Sequence, residues 1–183
     1  MKPDVASTPR LLLHCCCAPC ASYVLEYLAQ SFEVTAFFYN PNIFPREEYD
    51  KRLSELYKLL AMADYSADML VGEYDTDAFA AVAEPFIGEA EGGRRCAECF
   101  KLRLSETARR AQRSGFQFFT TTLSVSPHKN AALLNEIGAG LAEEYGVGYL
   151  KSDFKKRDGY KRSIVLSKQY GLYRQSYCGC REA

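Results

Sequence analysis

Eight cysteines carry the chemistry this sequence could do, and they fall in three knots: Cys15, Cys16, Cys17 and Cys20 in HCCCAPC, Cys96 and Cys99 in CAEC, and Cys178 and Cys180 in CGC. None lies between Cys20 and Cys96 or between Cys99 and Cys178. A disulfide scaffold spreads its cysteines along a short secreted chain, whereas thiols clustered at short spacing point to metal chemistry in a reducing compartment. The C-x-x-C at 96–99 is by itself equally suited to zinc, an iron–sulfur cluster or thiol redox work. A structural zinc and a cubane cluster each take four ligands, and eight cysteines exceed either. Adjacent side chains on extended backbone point in opposite directions. Cys16 and Cys17 are therefore expected to serve two neighbouring centres, and Cys178 and Cys180, parted by a flexible Gly179, to be divided likewise. One four-thiolate cluster beside one metal ion with three ligands and an open position uses seven cysteines and leaves Cys15 spare. The last knot lies close to the chain end, which frays unless tied down, and a metal would tie it.

Strand and helix patterns alternate along the whole chain and must position these knots. Residues 11–13 read as a short apolar strand running into the first knot, and residues 21–30 as a helix with Val24, Leu25 and Leu28 on one face. That puts the knot at the carboxyl end of a strand, where open α/β sheets hold ligands. Pro19 suits the first turn of the helix, whose partial positive charge favours thiolates. Residues 33–39 (EVTAFFY) read as a second strand ending at the turn Asn40-Pro41. Pro45 precedes a long amphipathic helix carrying Tyr49, Leu53, Leu56, Leu59 and Leu60. A third strand at 68–72, a helix-prone stretch broken by Pro85, and a helix opening at Cys99 and reaching Arg113 follow. The strand at 116–122, a helix capped by Ser126 with Pro127 at its first position and running to Glu144, a strand at 147–150 and a last helix near 163–170 complete the reading. The pattern predicts one α/β domain, a mostly parallel sheet with helices on both faces, its tail at 172–183 closing the metal site.

The chain has 183 residues, 48% hydrophobic and 25% charged, which excludes collagen-like, coiled-coil and disordered classes. The three leucines before His14 fall far short of the ~7–15 apolar residues of an export signal, and no stretch reaches the ~18 of a membrane span. A cytoplasmic protein is expected, without membrane contact and as a monomer. Lys+Arg and Asp+Glu both total 23, but the balance is local. Residues 148–174 hold eight basic side chains, Lys151, Lys155, Lys156, Arg157, Lys161, Arg162, Lys168 and Arg174, against Asp153 and Asp158. Residues 63–98 hold nine acids against Arg94 and Arg95. Tyr160, Tyr170, Tyr173 and Tyr177 interleave with the basic run, a pattern suited to phosphates and unstacked bases. Lys155, Lys156, Arg162 and Arg174 are candidate contacts. His128 and Lys129 join them, at what reads as a helix N-terminus suited to phosphate.

Four ordered motifs carry a resemblance over nearly the whole chain: HCCCAPC at 14–20, RCAECFKLRL at 95–104, TTLSVSPHK at 121–129 and DFKKRDGYKRSIVLSKQYGLYRQSYCGC at 153–180. The sequence resembles the cobalamin-independent epoxyqueuosine reductases called QueH. The resemblance implies a Rossmann-like (HUP-like) fold and reduction of the epoxide of epoxyqueuosine, at the tRNA wobble position, to queuosine. It implies a 4Fe–4S cluster beside a mononuclear metal, iron. Carried over, Cys16, Cys96, Cys99 and one of Cys178 or Cys180 hold the cluster, and Cys17, Cys20 and the remaining C-terminal cysteine hold the single ion. Removing the oxygen takes two electrons, supplied from a one-electron donor such as ferredoxin or flavodoxin, and a proton donor, for which His14, Asp153 and Tyr160 are candidates. The contrasting reading is a non-enzymatic iron–sulfur electron carrier or structural zinc protein. An ATP-using tRNA thiolation enzyme of similar fold is disfavoured, because cysteines replace a glycine- and serine-rich phosphate cradle.

Overall fold

The computed structural model describes residues 8–180; the end of the expected tail, 181–183, lies outside them. Five parallel strands, β1 (Arg10–His14), β2 (Glu33–Phe38), β3 (Asp68–Val71), β4 (Phe118–Thr121) and β5 (Gly148–Tyr149), form one sheet in the order β3-β2-β1-β4-β5. The helices are α1 (Ala18–Leu28), α2 (Arg46–Met62), α3 (Thr76–Ala83), α4 (Arg94–Arg113), α5 (Ala131–Tyr145) and α6 (Gly159–Gln169). Alternation along each strand builds two cores. Leu11, Leu13, Val34, Ala36 and Phe38 pack with α1 and α2 on one face. Leu12, Phe37 and Phe119 pack with α4 and α5 on the other. The expected α/β architecture with helices on both faces is the one observed.

The chain winds outward from β1 to β3, then returns to the other side of β1 for β4 and β5. Connections leaving the carboxyl ends of β1 and β4 therefore diverge and open a crevice between them. The first cysteine knot leaves β1 into this crevice. The last helix comes to lie against α1, an approach that leaves no room for a side chain at Gly159: a Cβ would strike the Phe154 carbonyl and the Tyr23 ring.

Several boundaries differ from the sequence reading. Helix α4 begins at Arg94 rather than Cys99, so Cys96 and Cys99 both sit in its first two turns. Helix α6 begins at Gly159, four residues before the expected Ser163. The largest correction concerns Ser126-Pro127. After β4 the chain makes a 3-10 turn over Thr122–Val125, and Ser126 closes that turn through its N–H to the Leu123 carbonyl at 3.2 Å. Helix α5 starts at Ala131 instead, capped by Asn130, whose side chain accepts from Ala132 and Leu133 N–H at 3.0 and 3.2 Å. His128 and Lys129 thus lie in the loop before the helix. Asn130→Ala is expected to cost about 1 kcal/mol in urea unfolding, whereas Ser126→Ala changes stability by only a few tenths (~0.3 kcal/mol); equal costs would put the cap back at Ser126.

Candidate metal centre

Cys15 directly follows β1 and extends its pairing by one bond, its N–H donating to the Phe37 carbonyl at 2.9 Å. It continues the Leu11, Leu13 alternation into the apolar core. Its thiol donates to the Leu13 carbonyl at 3.4 Å, and burial holds its pKa well above the thiol range. It lines no part of the crevice. Cys17 is the N-cap of α1, extended at φ −167°, ψ 156°, with Cys20 in the helix's first turn.

Here the sequence expectation fails. Cys16 and Cys17 do not point apart: their sulfurs are 3.7 Å from each other, and the sulfurs of Cys16, Cys17 and Cys20 all lie within 4.8 Å of one another. The strand ends before Cys16, so its two-residue alternation no longer applies and the turn brings the three sulfurs together. Thiolates ~2.3 Å from a tetrahedral ion stand ~3.8 Å apart, so the observed separation suits metal ligation. Thr122 Oγ1 braces this turn at 3.4 Å from the Cys16 N–H. Within the trio Cys16 is the acid: hydrogen bonds from Cys17 and Cys20 pull its pKa well below the usual value, while Cys17 is pushed up to about 12 by donating to it and Cys20 is raised in the same way.

A second group comes from α4 and the tail. Cys96, Cys99, Cys178 and Cys180 line one small pocket with Phe79, Phe100, Arg103 and Lys129. Hydrogen bonding from Cys180, with Lys129 and Arg103 nearby, lowers the Cys178 pKa to about 5 and raises that of Cys180. Lys129 Nζ lies 3.4 Å from Cys178 Sγ and 2.7 Å from a Glu91 oxygen. Cys178 also lines a cavity of about 480 Å³ together with Cys16, Cys17, Cys20, Lys129, Tyr160 and Arg174. The two cysteine groups are therefore neighbours that meet at Cys178.

Protein contacts, rather than a metal alone, hold the tail. Arg52 and Glu48 on α2 form a buried ion pair at 2.6 Å, and the same guanidinium donates to the carbonyls of Cys178 at 2.8 Å and Tyr177 at 3.3 Å. Gly179, at φ +93°, lies flat against it, where a Cβ would come within 2.8 Å of Arg52 Nη2. Phe44 N–H donates to the Gly179 carbonyl at 2.7 Å, beside an antiparallel bridge between Ile43 and Cys180.

The other expected residues divide. His14 is fully buried, with Nε2 on the Tyr39 carbonyl at 3.1 Å and Nδ1 on the Thr121 hydroxyl at 2.9 Å. Burial, with Arg103 nearby, pushes its pKa down to about 4, so it stays neutral and does not line the cavity. Asp153 is outside the cavity lining too, ion-paired to Lys155 at 2.8 Å and Lys156 at 3.7 Å. Arg162 clamps Glu26 of α1 at 2.6 and 3.0 Å and so joins α6 to α1. Tyr160, Arg174, Tyr177, His128 and Lys129 do line the cavity. Tyr170 packs against the core, and Tyr173 is pinned to α2 through Glu55, Glu48 and Lys51. Sequence reasoning missed Arg52, Glu48 and Arg103. Their spacing was visible: Cys96, Cys99 and Arg103 stand at i, i+3 and i+7, one helical face, and Glu48 and Arg52 at i and i+4.

The donor set fits the implied metals. Cys16, Cys17 and Cys20 stand close enough to share one ion, Cys96, Cys99, Cys178 and Cys180 line the adjoining pocket, and Arg52, Arg95, Arg103 and Lys129 stand beside them. Arg52→Met is expected to leave Glu48 buried and unpaired, lowering stability by about 3–5 kcal/mol. Adding Glu48→Gln should recover part of that loss. Urea unfolding of both variants checks this; a loss below 1 kcal/mol (roughly the worth of an exposed pair) would mean the pair does not hold the tail.

The family model described as epoxyqueuosine reductase QueH matches residues 11–182. Among curated proteins, the chain is 40% identical to the epoxyqueuosine reductase QueH of Streptococcus pyogenes serotype M1 over 176 residues, covering 94% of this chain and 69% of that protein. It is 40% identical to the protein of that name from Staphylococcus epidermidis, covering 94% and 75%. It is 37% identical to the one from Thermotoga maritima, covering 93% and 88%.

Proposed function

The chain belongs to the epoxyqueuosine reductase QueH family, and on that premise we propose that it reduces the epoxide of epoxyqueuosine in tRNA to the alkene of queuosine, using a 4Fe–4S cluster and an adjacent single metal ion. The observation that carries this reading is the gathering of seven cysteines around two adjoining pockets that share Cys178, Arg103 and Lys129, with Cys15 turned into the core. Cys96, Cys99, Cys178 and Cys180 would hold the cluster, and Cys16, Cys17 and Cys20, whose sulfurs lie together, the single ion. When bound, these groups supply one-electron transfers and a Lewis-acid position.

Loss of the epoxide oxygen as water consumes two electrons and two protons, so the cavity must deliver protons as well as hold the substrate. Tyr160 is the proton donor in this reading, being the one candidate of the three that lines the cavity. His14 instead holds the β1 turn in place, and Asp153 orients Lys155 and Lys156. Arg174 lies 5.4 Å over the Tyr160 ring and fixes its position. Tyr177, half-exposed at the cavity, offers a face on which a base can stack. Lys155 and Lys156, on the loop before α6, provide contacts for the tRNA backbone. Electrons come from an external one-electron donor of the ferredoxin or flavodoxin class. Among the described residues no helix is long and apolar enough to cross a membrane, in keeping with a tRNA-modifying role in the cytoplasm.

Anaerobic protein with a chemical reductant is expected to convert epoxyqueuosine in tRNA to queuosine, read after nuclease digestion. In that assay Cys17→Ala abolishes turnover but keeps the cluster's absorbance, and Tyr160→Phe slows turnover tenfold or more (~1.4 kcal/mol) with the metals retained. A colourless zinc protein without iron or sulfide after anaerobic purification would defeat the reading.

Lys155→Glu with Lys156→Glu is expected to weaken tRNA binding and flatten its dependence on salt, by about 0.7 in logarithmic slope for each phosphate left without a cation. Unchanged binding isotherms at two salt concentrations would remove this loop from the interface.

A further inference from the structure

Arg103 heads the fully buried side chains by size and is 2% exposed, yet among the described residues it has no carboxylate partner. Its Nε donates to the Cys99 carbonyl one turn earlier at 3.2 Å, and its Nη2 is buried with no hydrogen-bond partner among the described residues. The groups whose negative charge bears on it are the thiols of Cys99, Cys178 and Cys16. It borders both the cavity and the small cysteine pocket. Of the other cations lining these pockets, Lys129 is compensated by Glu91 at 2.7 Å and Arg52 by Glu48 at 2.6 Å, while Arg95 is only partly buried and Arg174 is exposed. A guanidinium enclosed this deeply is strongly unfavourable unless a fixed anion balances it, and the atoms around it that can carry negative charge are cysteine sulfurs.

We propose that Arg103 is the built-in counter-cation of the thiolate-bound iron centre and that it raises the centre's reduction potential. The inference rests on the reading that these cysteines hold iron. A cluster with four thiolate ligands is anionic and gains one further negative charge on accepting an electron. A cation fixed at the boundary between the two cysteine groups therefore stabilises the reduced form more than the oxidised one. Its depth in the core separates it from tRNA phosphates, which meet the exposed basic loop instead. Arg103 acts through the centre and is a positioning and tuning residue.

The test compares wild type, Arg103→Met and Arg103→Lys, purified anaerobically, by iron and sulfide analysis and by mediated redox titration followed by electron paramagnetic resonance. In Arg103→Met, the ratio of reduced to oxidised centre at the wild-type midpoint is expected to fall at least tenfold, equivalent to ~59 mV for one electron. Arg103→Lys, which keeps the charge, stays within threefold of wild type. Titrations in which Met and Lys behave alike, or a Met variant changed only in tRNA affinity, overturn the proposal. Should Arg103→Met not load iron, Arg103→Lys decides: a Lys variant that loads iron and titrates within threefold of wild type supports the counter-cation role, and one that fails to load as Met does overturns it. Wild type lacking iron and sulfide overturns the metal reading itself, a result distinct from loaded proteins with unchanged potentials.

Discussion

The guanidinium of Arg52 bonds in three directions inside the protein: to Glu48 on its own helix, to the carbonyl of Cys178 and to the carbonyl of Tyr177. Burying an ion pair is costly, and the cost is offset only when remaining donors are satisfied with good geometry. Here the donors beyond Glu48 reach the backbone of the tail, so the pair is satisfied only when the tail is docked. Gly179 is the residue that permits this close approach, since it has no Cβ to meet the guanidinium and tolerates its left-handed conformation. Docking brings Cys178 and Cys180 to α4, and without them the cysteine group there would be reduced to Cys96 and Cys99.

The crevice that receives the tail follows from strand order. Because β1 and β4 are neighbours whose connections leave in opposite directions, their carboxyl ends stay open to the turns that follow them and to the tail. The β1 turn contributes Cys16, Cys17 and Cys20, and the 3-10 turn after β4 contributes Thr122, which braces Cys16. Each cysteine group contains one strongly acidified thiol, Cys16 or Cys178, hydrogen-bonded by its more basic neighbours. Loading a metal requires the remaining thiols to lose their protons as well. Arg103 and Lys129 supply positive charge where that negative charge accumulates.

The charge distribution on the outside follows a different logic. Part of the basic run at 148–174 is spent on structure: Arg162 joins α6 to α1, and Lys155 and Lys156 share Asp153. Lys156 keeps most of its side chain in solvent, and Arg174, Tyr160 and Tyr177 face the cavity. The basic surface and the cysteine groups thus meet at the tail, the segment that Arg52 fixes.

Much of this was legible in the chain. Alternation of short β-branched or aromatic runs with amphipathic stretches gave the parallel sheet and its two helical layers, because those periods follow from local backbone geometry. The same period, continued from Leu11 and Leu13, accounts for Cys15 turning into the core. Local pattern failed where two signals competed or where distant segments met. Ser126 and Asn130 are both competent caps, and the 3-10 turn following β4 claimed the first of them. Cys16 and Cys17 do not alternate as strand residues would, because β1 ends at His14. The sequence by itself determined which elements form and that the cysteines cluster near a strand end, a helix start and the tail, since short-range sterics and hydrogen bonding decide those features. Only the tertiary structure decided which sulfurs converge, that Arg52 seizes a carbonyl 126 residues away, and that Arg103 is enclosed without a carboxylate partner among the described residues, because each depends on how the sheet is crossed and what the crossing buries.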